Sequence, residues 1–319
     1  MWWVADTRAD GPEDDVGFDA EIAPATSSTL VDEGWRRIDR ADYLGARIAA
    51  AEVLARKDDQ QVNGLMLLGA ADELERKPRE AIARYEAALS MVDPDAPAAD
   101  HLTFRLAESH ASAGDGKVAA KLLGKLRKEP ERTPDDLAKI DLVLGIVDVD
   151  RGKAARGEAR LEAMLTTDSE DLAFYRAKAH ASLARLEVTR ANGASLDVSD
   201  KKQADAIRAR ATHLATAETH VLAAIALEEP EWTLDGILAL GGGYEQLADD
   251  LDVAPPPKKL SAEQVALFET GLHDKSLVLW AKAFAHYDEG VRFAERLSWQ
   301  SPRVADLMAA RDRAKEKAR

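Results

Sequence analysis

Two interleaved tracks of small residues constrain this chain more than any other feature. Gly34, Gly69, Ala107 and Gly145 follow one another at steps of 35, 38 and 38. Ala46, Ala81, Ala119 and Gly157 repeat the same three steps, offset by 12 residues. A fixed offset inside a unit of 35 to 38 residues is the signature of a repeated helix–turn–helix. Small residues at matched positions let two antiparallel helices approach near the lower end of the usual ~8–10 Å range. Leu68, Tyr85, Leu89, Leu106, Leu123, Leu126, Leu144, Leu161 and Leu165 then fill the layers between them. One such pair cannot bury its apolar face alone, so each stacks on the next. Composition agrees: hydrophobic residues reach 46% but aromatics only 5%, and Ala and Leu, strong helix formers, dominate.

The stretch "LLGAADELERKPREAIARYEAALSMVDP" resembles the tetratricopeptide repeat family. Leu68–Gly69 stands at the family's Leu-Gly pair, Ala81 at the alanine opening the second helix, and Tyr85 at its aromatic. Ala88–Leu89 stands at its Ala-Leu pair, and Pro94 two residues beyond its terminal proline. "LGIVDVDRGKAARGEARLEAML" is a second copy. The family's first-helix tyrosine is replaced by Arg37, Asp72, His110 and Asp148 in the first four units. The resemblance spans about residues 27 to 297. It implies an all-α fold, a right-handed α-solenoid of antiparallel helix pairs, with about six repeats and a C-terminal capping helix.

Further along, the pattern loosens. "AFYRAKAHASLARLEVTRANG" predicts a helix stopped in the left-handed manner at Asn192–Gly193. A polar loop follows, then a second helix with Ala217, Val221 and Ile225 at repeat positions. A last unit begins at Trp232. Within it, "LALGGGYEQLADDLDVAPPPKKLSAEQ" holds three glycines and three prolines. Gly241 is a helix-contact position, and Tyr244 stands where the family keeps its tyrosine. Gly242 and Gly243 each cost about 1 kcal/mol against Ala within a helix, so very close packing is expected at both. Pro255 to Pro257 stiffen the connection to Ser261-Ala262-Glu263-Gln264, which fits a capping box. Thr133-Pro134 and Ser301-Pro302 each offer a capping hydroxyl and a proline at the first helical position. The expected organisation is an acidic tail over 1–25, a repeat array over 26–297 with insertions near 193–204 and 251–275, and a capping helix over 298–319.

The formal net charge is -15, from 43 basic and 58 acidic residues. Binding a polyanion needs clustered Lys and Arg, so nucleic acid is a poor partner. Only the last seventeen residues lean basic, which suits a solvated final helix. The chain has no cysteine, which excludes disulfides, thiol nucleophiles and Cys-ligated zinc. No apolar run approaches the ~20 residues of a membrane span. The start, "MWWVADTRADGPEDD", has no basic head or apolar core, so no export signal is read there. Residues 1–25 carry seven acids and one base, too polar to offset the entropy of ordering. Trp2 and Trp3 within them either pack on the first helices or anchor the tail in a groove.

Several tempting motifs fail. "AGDGKV" lacks the first glycine of a P-loop, because that position is Ala111, and Val118 follows Lys117. "DVDRGKAARGEA" has Gly152 and Ala159 where a calcium loop needs oxygen ligands. Both read as turns between helices. His213 and His220 lie two helical turns apart, too far for one metal, and no serine sits in a G-x-S-x-G elbow. No enzyme, metal or cofactor is expected.

The family's concave face is lined mainly by first helices. In this register it carries Val31, Trp35, Ile38, Met66, Ala70, Glu73, His101, Phe104, Glu108, Leu142, Ile146 and Val149. The groove is mixed apolar and acidic, so a basic or amphipathic peptide or protein fits it better than an acidic one. Trp35, Met66 and Phe104 have a second reading, as core between repeats. Finally, "LALGGGYEQLADDLDVAPPPKKLSAEQVALFETGLHDKSLVLWAKAFAHYDEGVRFAERL" resembles the closing segment of repeat proteins in bacterial envelope assemblies, notably gliding-motility machinery. Leu260-Ser261, Glu263-Gln264, Phe268, Lys282-Ala283 and Tyr287 carry that likeness. It implies a non-catalytic scaffold in the periplasm or cell envelope. The alternative is a cytoplasmic adaptor that binds a peptide in its groove.

Overall fold

The computed structural model describes residues 26–130, 132–167, 169–198 and 200–319. The tail read over 1–25, with Trp2 and Trp3, lies outside the described residues. Among those described the fold is all-α, with thirteen α-helices and one short 3-10 turn, Glu170–Leu172. The chain divides into two compact units, Met1–Lys128 with Ser169–Asp171, and Glu129–Asp168 with Leu172–Arg319.

The first unit holds α1 (Ser27–Asp39), α2 (Tyr43–Arg56), α3 (Gln61–Leu74), α4 (Pro78–Leu89), α5 (Pro97–Ser112) and α6 (Gly116–Leu126). Each helix packs on the next in sequence. The second unit holds α7 (Pro134–Asp150), α8 (Ala154–Leu165), α9 (Ala173–Asn192), α10 (Asp200–Ile225), α11 (Pro230–Asp252), α12 (Ala262–Arg296) and α13 (Pro302–Lys317). There α9 packs on both α10 and α11, and α11 on both α12 and α13.

The turns inside the first four helix pairs are alike. Ala41, Arg76, Gly114 and Gly152 all have positive φ, at 58°, 61°, 83° and 75°. Their steps are again 35, 38 and 38. In each, the next amide donates to the carbonyl five residues back: Asp42 to Arg37, Lys77 to Asp72, Asp115 to His110 and Lys153 to Asp148, at 2.7–2.8 Å. This is the Schellman arrangement, which satisfies carbonyls orphaned at a helix end. The sequences "AGDGKV" and "DVDRGKAARGEA" are two of these turns.

The matched small residues are contact points. A Cβ on Gly69 would sit 2.5 Å from the Tyr85 ring, and one on Gly157 2.6 Å from the Gly145 carbonyl oxygen. The Gly-on-tyrosine contact recurs far along the chain, where Gly241 lies against Tyr287. Gly243 is equally tight, against Leu214 and Val188. Gly242 is not: nothing lies within 4 Å of a Cβ placed there. The expectation of close packing at Gly242 is therefore corrected. Successive helical residues point about 100° apart, so a run of three glycines presents three directions, and the middle one faces open space.

Other boundaries also shift. Gly193 does follow the last residue of α9, but its φ and ψ of -71° and -16° are right-handed, so no left-handed stop forms. The insertion expected over 193–204 is shorter, because α10 begins at Asp200. The one expected over 251–275 is also mostly helix: the connection ends at Ser261, whose capping box with Gln264 is formed, and α12 begins at once. Thr133 makes its capping box too, with Asp136. Ser301 does not cap α13, since its hydroxyl has no hydrogen-bond partner, although Pro302 opens the helix as expected. The last unit begins at Pro230 rather than Trp232.

Candidate functional site

In the first unit, the residues expected to line a groove are distributed between core and half-open positions. Val31 and Ile38 on α1 are buried, and Trp35 packs against Leu30, Val31 and Val53. On α3, Ala70 is buried and Met66 lies against the cluster of Ala81, Tyr85 and Leu102. On α5, Phe104 is buried and His101 half-buried. A buried side chain is already committed to packing, so Trp35, Met66, Glu73 and His101 are the members that keep surface of their own.

Glu73 and Glu108 are brought together by a residue that the groove reading omitted. Arg105 donates to Glu108 at 3.0 Å and also to Glu73. The Tyr85 hydroxyl donates to Glu73 Oε2 at 3.0 Å, and Ser109 Oγ donates to Glu73 Oε1 at 2.7 Å. The two carboxylates thus share one guanidinium, and burial pushes the Tyr85 phenol well above its ordinary value. One guanidinium offsets only one of the two carboxylate charges, so the cluster stays acidic. Arg105 was findable: it sits three residues before Glu108, one helical turn away.

Leu142, Ile146 and Val149 belong to the second unit. Leu142 is fully buried, and the other two pack around it with Leu161 and Met164. Beside them lies Asp148, which is also buried. It accepts from Arg156, and from Arg160 Nη1 at 2.8 Å. Burial alone would raise its carboxyl, but Arg156, Arg160 and Lys153 hold it below the ordinary carboxylate value. Asp72, the matching residue in the first unit, accepts from Arg47 at 2.5 Å. At this matched position both units hold a buried aspartate paired with arginine.

A histidine pair in the second unit was not foreseen. His180 on α9 and His220 on α10 approach Nδ1 to Nδ1 at 3.2 Å, so one ring donates and the other accepts. Burial, the neighbouring His220 and Arg176 lower His180 to about 4; burial also lowers His220, against the pull of Glu187, Glu162 and Glu158. Next to them His213 contacts Glu187 at 2.6 Å, and Arg190 donates to Glu158 at 2.6 and 2.7 Å. Two imidazole nitrogens could share a proton or a metal. Among the described residues, no group of three His, Cys, Asp or Glu side chains is gathered to hold an ion. The pairing lies 40 residues apart in sequence, on different helices, and no local pattern announces it.

Elsewhere in this unit aromatic faces meet cations. Lys178 Nζ lies 4.6 Å from the Trp232 ring centre and Lys139 Nζ 5.1 Å from that of Tyr175. Arg303, paired with Glu231, approaches Trp232 from α13. Tyr244 stacks on His286 at 5.4 Å and donates to Glu218. Gln203, buried, donates to the Leu196 carbonyl at 3.2 Å and the Pro255 carbonyl at 3.1 Å. It therefore ties together the two irregular connections that interrupt the repeat pattern. Among the described residues no helix is long and apolar enough to cross a membrane. No family model matches the chain, and no curated protein sequence matches it.

Proposed function

We propose that this chain is a non-catalytic protein-binding scaffold: a right-handed α-solenoid of about six tetratricopeptide-like helix pairs closed by a C-terminal helix. The observation that carries the reading is the recurring turn at Ala41, Arg76, Gly114 and Gly152, with the same carbonyl accepting in each. The Gly69–Tyr85 contact and its counterpart at Gly241–Tyr287 add support. A chain that repeats one hairpin devotes its surface to extended contact with other chains. The net charge of -15 favours basic or amphipathic partners.

The assembly proposed is a bacterial cell-envelope machine such as a motility complex. Its support is the likeness of the segment from Leu238 to Leu297 to the closing segment of such proteins. Two experiments test the proposal. On a peptide array sorted by charge, the purified chain should prefer basic and amphipathic segments, and a preference for acidic peptides contradicts the partner class. Fractionation of native cells should place the protein with the envelope, and a wholly cytosolic distribution contradicts the assembly.

A further inference from the structure

The outer face of α6 is basic, in a chain whose formal net charge is -15. Its exposed residues are Lys117, Val118, Lys121 and Lys125, and the exposed Lys128 follows three residues on. The helix itself contains no acid; the nearest ones, Asp115 and Glu129, lie past its two ends. The matching helices carry both signs: α4 exposes Arg79, Glu80, Arg84 and Glu86, and α8 exposes Arg156 and Glu162. Arg84 and Arg156 are also engaged, with the buried Asp72 and Asp148. Among the described residues the lysines of the α6 stripe make no ion pair. Like charges three or four residues apart destabilise a helix, so this face gains from an anionic cover.

One segment of the same chain has the complementary composition. Residues 1–25 hold seven acids, with Glu13, Asp14 and Asp15 in a row, against the single base Arg8. The apolar residues match as well. Val16 and Phe18 stand among these acids, as Val118, 42% exposed, stands among the lysines. Gly124, one turn from both Lys121 and Lys128, leaves open space: a Cβ placed there meets nothing within 4 Å. The reach suffices. α1 packs on α3, α3 on α4, α4 on α5 and α5 on α6, so four steps of ~8–10 Å hold α6 within about 40 Å of α1. Asp6 to Asp15 precede Thr26 by 11 to 20 residues, which in an extended chain spans about 36–66 Å. We propose that the acidic segment 1–25 docks along α6 of its own chain and covers its lysines. The contact joins exposed charges, so it weakens with salt. It keeps this basic face from acidic chains until a stronger competitor displaces it.

Zero-length coupling with a carbodiimide, which joins a carboxylate directly to a lysine amine, tests this on the full chain. The reaction is run at low salt on an equal mixture of 15N-labelled and unlabelled protein. Peptide mapping should find tail acids joined to Lys117, Lys121 or Lys125 within one chain, at a yield that falls about tenfold in 0.5 M NaCl. A Lys117→Gln, Lys121→Gln, Lys125→Gln chain with unchanged helical content should leave the tail acids largely uncoupled. Three results each overturn the proposal. The first is no coupling between the tail and α6 at low salt. The second is coupling there no greater than to exposed lysines elsewhere, such as Lys57 and Lys315. The third is coupling only between labelled and unlabelled chains, which would assign α6 to the tail of a second copy.

Discussion

The short helix pairs α1 to α8 and the later region, the long helices α9 to α12 with α13, are stabilised in different ways. In the short pairs, helices of 11 to 17 residues meet through single small residues, and a left-handed residue closes each turn. Among the long helices, which reach 35 residues in α12, contact is spread over a large apolar cluster that includes Trp280, Tyr287 and Phe293. A buried cation lies in the same region: Arg210 is 1% exposed and pairs with the half-buried Asp250 at 2.5 Å. The first kind of packing concentrates its cost of change at a few backbone contacts. The second distributes it, and leaves room for local gaps such as the one beside Gly242.

The largest expected effect breaks the short pairs. In Gly157→Ala the new methyl meets the Gly145 carbonyl oxygen and the Val149 amide nitrogen, both backbone atoms that cannot rotate away. Helices α7 and α8 must part, at a cost of about 2–3 kcal/mol, read as a lowered midpoint in chemical denaturation.

Next comes acid, which should act on the long helices first. His180, at about 4 in the folded chain, lies below its ordinary 6.5, and His220 is lowered too. The unfolded chain therefore binds protons more readily. The contribution of the pair is complete above pH 6.5 and is lost as pH falls from there toward 4. The groups facing it are Glu158, Glu162 and Glu187 against Arg176 and Arg190. With both rings only half-buried, the loss should be roughly 1 kcal/mol. Urea midpoints measured from pH 7 to pH 4.5 should fall less steeply in a His180→Gln, His220→Gln chain.

Two turn substitutions should move stability in opposite directions. Gly114→Ala places a side chain at φ 83° and should cost about 1 kcal/mol, whereas Arg76→Gly relieves φ 61° and should gain a few tenths. The smallest effect sharpens the contrast between regions. Gly242→Ala meets nothing and should stabilise α11 by up to about 1 kcal/mol in thermal denaturation, opposite in sign to Gly157→Ala.

These contrasts track what could be read in the sequence. The hairpins were legible because their packing depends on residues at fixed separations: Gly69 and Tyr85, or Gly145 and Gly157, carry the register in their spacing. The capping box at Ser261 and the capping hydroxyl of Thr133 were legible for the same reason, since a cap is a local contact. The extent of α10 and the first turns of α12 were not, because polar residues such as those of "DKKQ" suit a loop and an exposed helix equally well. The candidate groove was only partly legible. Register assigns Glu73 and Glu108 to one side of their helices, but not the guanidinium of Arg105 that bridges them. The His180–His220 contact depends on how α9 meets α10, which no periodicity encodes.

Hydrogen exchange of the full chain at residue resolution tests the central claim, that one hairpin is repeated. The four turn amides Asp42, Lys77, Asp115 and Lys153 each donate to a carbonyl five residues back. All four should be protected to a similar degree, well above the amides that lack partners in the connections between pairs. Fast exchange at two or more of them would show that the turns are not the same structure, and would contradict the repeat on which the scaffold reading stands.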